Sequence, residues 1–219
     1  VVSGTAINIF FLLITGFLLR VMFQRAGQSP SVNDVSPWTI PIIKDIPFIG
    51  RIFGEQIPFV YFALIFVALS YWVLWKTPFG LRIRSVGEHP AAADSVGINV
   101  NKIRYISVMI SGFFAGLAGA SLSIGLLDVF VKNMSSGKGF IALAAMIFGK
   151  YTPQGALLAA LLFGFADALQ MLAQTLGISV VPRQFLLMLP YLLTILALAG
   201  VIGRANPPAA DGEPYDKEG

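Results

Sequence analysis

Few side chains in this sequence could do chemistry, and most of those sit in apolar surroundings. Asp167 lies in Gly164-Phe-Ala-Asp-Ala-Leu169, and Gln170 and Gln174 follow it at spacings of three and seven, so that on a helix all three share a face. A carboxylate and two amides in that arrangement can hydrogen-bond a polyhydroxy solute or bond neighbouring helices, and Asn8 in the first apolar run has the same two readings. His89 is the sole histidine, which leaves a histidine metal centre or a Ser-His-Asp triad little to build from. The absence of cysteine removes disulfides, thiolate metal sites and a thiol nucleophile. No metal or bound cofactor is expected. No Gly-x-x-x-x-Gly-Lys-Ser/Thr run occurs, and Gly137-Lys-Gly139 is not one. The chain is therefore not expected to hydrolyse ATP by that route; if it moves a solute uphill, the energy must arrive from another subunit.

A second constellation is Gly87-Glu-His-Pro-Ala-Ala-Ala-Asp-Ser-Val-Gly97, which has the punctuation of one short helix. Pro90 suits the first helical position, Ala91 and Ala92 favour the interior, and Gly97 can adopt the left-handed conformation that ends it. Pro90–Val96 gives about two turns, too little to be stable without packing against something else. Val96 and Ile98 offer an apolar side, Glu88, His89 and Asp94 a polar one, and Asn99 or Asn101 can cap the helix that follows.

The elements that position these groups follow from composition. With 56% hydrophobic and 12% charged residues in 219, and a mean hydropathy of +0.78, the chain cannot cover a water-soluble globule with polar surface. Apolar runs at Gly4–Phe23, Pro58–Trp75, Tyr105–Leu127, Gly155–Leu176 and Phe185–Gly203 approach the roughly 20 residues that span the hydrocarbon layer as helices. Runs such as Tyr61-Phe-Ala-Leu-Ile-Phe-Val-Ala-Leu-Ser70 are apolar on every side, unlike the alternation of a membrane barrel. The expected fold is an all-α polytopic bundle of five spans plus one short or half-helix at Gly139–Gly149, which either re-enters or crosses inward with the help of Met134–Lys138. The net charge of +4 comes from scattered basic residues without a basic face, which argues against nucleic acid.

Those basic residues orient the bundle. Lys76, Arg82, Arg84, Lys102 and Arg104 crowd one connection, whereas the longer Gln24–Ile57 connection holds only Arg25, Lys44 and Arg51, so the first is assigned to the cytoplasm and the second outside. An inward crossing at Gly139–Gly149 puts the tail Arg204–Gly219 in the cytoplasm; a re-entrant segment is expected to put it outside. Pro30, Pro37, Pro41, Pro47 and Pro58 make the outer connection a packed loop, either a lid or a docking surface for an external partner. Gly112, Gly116 and Gly119 form a stripe that admits another helix closely. A start at Val1 directly before an apolar run is expected of a chain that is N-terminally incomplete.

Gly80-Leu-Arg-Ile-Arg-Ser-Val-Gly-Glu-His-Pro-Ala-Ala-Ala-Asp-Ser-Val-Gly-Ile-Asn-Val100 resembles the cytoplasmic coupling loop of ABC importer permeases of the branched-chain amino acid, ribose and simple-sugar superfamily. Ser136-Gly-Lys-Gly-Phe-Ile-Ala-Leu-Ala-Ala-Met-Ile-Phe-Gly149 and Pro153-Gln-Gly-Ala-Leu-Leu-Ala-Ala-Leu-Leu-Phe-Gly-Phe-Ala-Asp-Ala-Leu169 resemble the purine nucleoside and simple-sugar subset. The resemblance implies a transmembrane domain over 1–203 with a coupling loop at 77–104, in the cytoplasmic (inner) membrane of a bacterial-type cell. It implies a separate ATP-binding subunit seated on Gly87, Glu88, His89, Pro90, Ala91, Ala92, Asp94 and Gly97. A homologous second permease and an extracytoplasmic solute-binding protein complete the set, with membrane lipid around them. Two alternatives remain at this level: an ion-coupled secondary transporter or channel using Asp167, and an ABC permease for branched-chain amino acids. A membrane-embedded enzyme would need convergent catalytic groups that the sequence lacks.

Overall fold

The computed structural model describes residues 2–25, 27–32, 35–39, 54–176, 188 and 206–216. In chain order they form α1 (Val2–Phe23), β1 (Trp38–Thr39), β2 (Glu55–Gln56), α2 (Pro58–Lys76), α3 (Pro78–Glu88), α4 (Pro90–Ser95), α5 (Val100–Ala120, continuing as a π-helical turn over Ser121–Leu126), α6 (Lys138–Phe148) and α7 (Pro153–Thr175). Among the described residues α1, α2, α5 with its extension, and α7 are long and apolar enough to cross a membrane. At 1.5 Å per residue the 22 residues of α1 rise about 33 Å. Large apolar side chains such as Phe10, Phe11 and Phe17 are exposed, as expected where lipid is the solvent. The polytopic helical fold is therefore the one expected; the fifth anticipated span, Phe185–Gly203, lies outside the described residues except for Met188.

The chain divides into two compact units. The first comprises residues 1–64 and 108–136. Here a ladder joins residues 27–32 to 128–132: Ser29 N–H donates to Phe130 O at 2.8 Å, Val32 N–H to Asp128 O at 2.8 Å and Lys132 N–H to Gly27 O at 2.7 Å. The buried Ser29 hydroxyl accepts from Phe130 N–H at 2.9 Å. β1 and β2 pair antiparallel, Trp38 opposite Gln56, and the Trp38 ring meets Phe62 edge-on at 6.1 Å. The first pairing ties the Gln24–Ile57 connection to the segment after α5, and the second closes within the Gln24–Ile57 connection itself. In the π-helical turn Leu127 N–H reaches Leu122 O at 3.2 Å, and Gly125 lies against Phe59.

The second unit comprises residues 65–107 and 137–219. Within it α6 doubles back on α7 through Ala145 and Phe148 against Ala159 and Phe163, with the two phenyl rings 5.5 Å apart. Gly149 and Gly155 let the backbones touch where any Cβ would collide. Thr152 then caps α7, accepting from Gly155 N–H at 3.1 Å, with Pro153 at the first position. Residues 132–137 are turns, so the helix does not borrow Met134–Gly137. Its 11 residues rise about 16 Å, roughly half the hydrocarbon thickness.

Candidate functional site

The connection between α2 and α5 is more ordered than one short helix. Thr77 starts α3 by accepting from Gly80 N–H at 3.2 Å, its hydroxyl donating to Val73 O at 2.6 Å, and Pro78 takes the first position. Gly80 is pressed so closely on Val73 and Leu74 that no Cβ fits, which fixes the bend out of α2. Arg84 lies over the Trp75 ring at 5.3 Å, and Trp75 stacks on Tyr71.

α3 ends at His89, an extended residue (φ −140°, ψ 85°) whose N–H donates to Ser85 O at 2.9 Å and whose carbonyl accepts from Ala93 N–H at 3.0 Å. Pro90 opens α4, which closes at Ser95, one residue short of the expected Val96. Gly97, at φ +83°, donates to Asp94 O at 2.9 Å, and Ile98 N–H donates to Ala93 O at 3.0 Å. That pair of bonds is a Schellman closure, and Ile98 supplies its apolar contact on the cluster containing Ala93. Asn99, not Asn101, caps α5, accepting from Lys102 N–H at 2.9 Å. The cap explains why this span starts at Val100 rather than Tyr105.

Val86 from α3, Ala93 from α4, and Val100 and Ile103 from α5 close one buried cluster, flanked by Phe79, Ile83, Ile98 and Tyr215. The anticipated coupling residues then separate by environment. Glu88, His89, Ala91, Ala92 and Val96 are exposed, Val96 by 75%, whereas Gly87, Pro90 and Asp94 are half-buried. Ser85, Glu88, His89, Ala92, Val96 and Ile98 line much of a surface groove of about 290 Å³.

Sequence reasoning missed the partner of this module within the chain. Residues 206–216 run across it: Ala210 N–H donates to Gly87 O at 2.9 Å, Ala209 N–H to the Glu88 carboxylate at 3.4 Å, and the Arg104 guanidinium to Glu213 O at 2.8 Å. Tyr215 packs on the buried cluster. The tail therefore shares a side with the Lys76–Arg104 connection. Tyr215, an aromatic residue in an otherwise polar tail, was the one signal available.

The anticipated solute-path residues are less organised. Asp167 and Gln170 are half-buried on α7, while Gln174 and Asn8 are exposed. The described residues offer none of the four a hydrogen-bond partner. Gly112, Gly116 and Gly119 face no described atom within 4 Å of an added Cβ, so the helix expected along the stripe is not among the described residues. A second hollow, about 380 Å³, lies among Leu19, Phe23, Ile124 and Phe130. It is apolar, and the Thr15, Ser29 and Ser123 hydroxyls on its wall already bond backbone carbonyls. No group of metal-ligating side chains occurs among the described residues.

Comparison with known proteins matches residues 1–198 to the family model described as "Branched-chain amino acid transport system / permease component". The chain is 48% identical to the guanosine ABC transporter permease protein NupQ of Bacillus subtilis, over 99% of its own length and 68% of that protein's. It is 44% identical to the nucleoside ABC transporter permease protein NupC of Lactococcus lactis, over 99% and 69%. A putative glucose ABC transporter permease protein of Haloferax volcanii, TsgC13, is 31% identical over 99% and 74%. No solved structure gives a significant match.

Proposed function

The chain belongs to the family of branched-chain amino acid transport system permease components, and on that premise we propose how this permease is driven and what it carries. It is a multi-pass protein of the cytoplasmic membrane and the permease subunit of an ABC importer for a nucleoside or simple sugar. A purine nucleoside is the solute favoured here, supported by the names of NupQ and NupC. Family membership leaves the ion-coupled reading of Asp167 without support, and those same names weigh against branched-chain amino acids.

ATP hydrolysis falls to a separate cytoplasmic subunit that grips Glu88, His89, Ala92 and Val96. The observation that carries this reading is the α3–α4 module itself. It is capped at both ends, has its own apolar cluster, and keeps one face of α4 bare. Joined covalently to α2 and α5, such a unit moves as a body, so closure of an ATPase dimer beneath it becomes displacement of spanning helices. The open Gly112, Gly116 and Gly119 stripe suits close approach of another helix, for which a homologous second permease is one source. Asp167, Gln170 and Gln174 are assigned to the solute path, with solute delivered by an extracytoplasmic binding protein.

The test is to assemble the full-length permease with its ATPase and second permease and measure nucleoside uptake. Ala92→Trp, which fills the groove, is expected to cut ATPase retention and uptake about tenfold or more while leaving membrane insertion intact. Uptake that continues without any ATPase and follows an ion gradient would overturn the reading.

A further inference from the structure

We propose that segment 206–216 is a strut of the energy-input site, setting the angle at which α4 meets the ATPase, with Arg104 and Tyr215 as its positioning residues. The proposal rests on the functional reading above and extends it to a part of the chain that reading leaves unused.

α3 and α4 meet at the single extended residue His89, whose side chain caps neither helix. One residue cannot fix the angle between two helices, so tertiary contacts must. The tail bonds the two elements that flank α4: it gives a donor to the carbonyl of Gly87 near the end of α3, a donor to Glu88 at that end, and an acceptor for Arg104 in the second turn of α5. Tyr215 adds its ring to the cluster to which α3, α4 and α5 each contribute a side chain.

Carbonyls in the last turn of a helix have no partner within it. Gly87 O is such a group, and its donor comes from Ala210. A Cβ added at Gly87 would lie 3.5 Å from Pro208 Cβ, ordinary van der Waals contact, so the segment runs directly against the end of α3. The segment keeps its own shape through Asp211 N–H to Pro208 O at 3.1 Å and Gly212 at φ +77°. None of its residues lines the groove on α4. It braces the module and leaves the docking face bare.

The test uses the full-length permease assembled with its ATPase and second permease in proteoliposomes, reading solute imported per ATP hydrolysed. Tyr215→Ala, Arg104→Ala and removal of 206–219 are each expected to lower that ratio about five- to tenfold, with ATPase copurification kept within about twofold. Tyr215→Phe keeps the ring in the cluster and is expected to retain more of the ratio than Tyr215→Ala. An unchanged ratio overturns the strut, as does ATPase loss in proportion to uptake, which would make the tail a docking contact. Should the shortened chain fail to insert, Gly87→Cys with Pro208→Cys tests the contact: these 219 residues hold no other cysteine, and any outside them is replaced beforehand. Their 3.5 Å separation lies within the range of a disulfide, so oxidised membranes are expected to yield the cross-link, and its absence refutes the contact. If the unaltered complex imports nothing with ATP, the permease reading falls, while the cross-link still decides the strut.

Discussion

The module of α3, α4, the start of α5 and segment 206–216 is held by an apolar cluster, whereas residues 27–32 and 128–132 are held mainly by backbone hydrogen bonds. In the first, Val86, Ala93 and Val100 are each at most 3% exposed, and helix caps fix the ends. In the second, the main buried group is the Ser29 hydroxyl, and Val32 is 59% exposed. A cored unit has few alternative packings and transmits displacement as a body. A backbone ladder tolerates changes of side chain and bends more easily. The difference suits the proposed role of the cored module in receiving force.

Substitutions can break or sharpen that contrast. Val100→Asp puts a carboxylate into the cluster and should cost about 3–5 kcal/mol, opening the module to trypsin at Arg82 and Arg84 and abolishing uptake. Val32→Asp in the ladder should change stability by about 0.5 kcal/mol or less, read as a nearly unchanged apparent Tm. Equal damage at the two sites would erase the distinction. Ser29→Ala removes the acceptor of Phe130 N–H and is expected to cost about 1–3 kcal/mol, the largest single loss available to the ladder. Gly97→Val forces a branched residue to φ +83° and should cost about 1–2 kcal/mol, with Gly97→Asn tolerated better. Asn99→Ala loses the α5 cap for about 1 kcal/mol, read as a lower apparent Tm of the purified full-length protein.

The spans were legible because lipid imposes a simple rule on long apolar runs. Local chemistry was legible at Pro90, Gly97 and Asn99, where proline, left-handed glycine and a capping amide act over a few residues. α3 was missed although Thr77-Pro78 is a helix start, because its apolar stripe, Phe79, Ile83 and Val86 at spacings of four and three, is short and interrupted by Arg82, Arg84 and glycines. The Arg104–Glu213 and Gly87–Ala210 bonds join residues more than 100 positions apart, and no local pattern encodes such pairings. Glu88, assigned from sequence to the ATPase alone, also receives Ala209 N–H. The polar groups of α7 were found by type, but neither sequence nor fold assigns them a solute atom.

The bare face of α4 allows the most direct measurement. These 219 residues hold no cysteine, so Val96→Cys, in a full-length permease with any cysteine outside them replaced, gives one thiol at a position 75% exposed. Maleimide labelling from the cytoplasmic side should be fast in the free permease and at least about tenfold slower once the ATPase is bound, since a seated partner excludes the reagent. Equal labelling with and without a bound, active ATPase would place the coupling contact elsewhere.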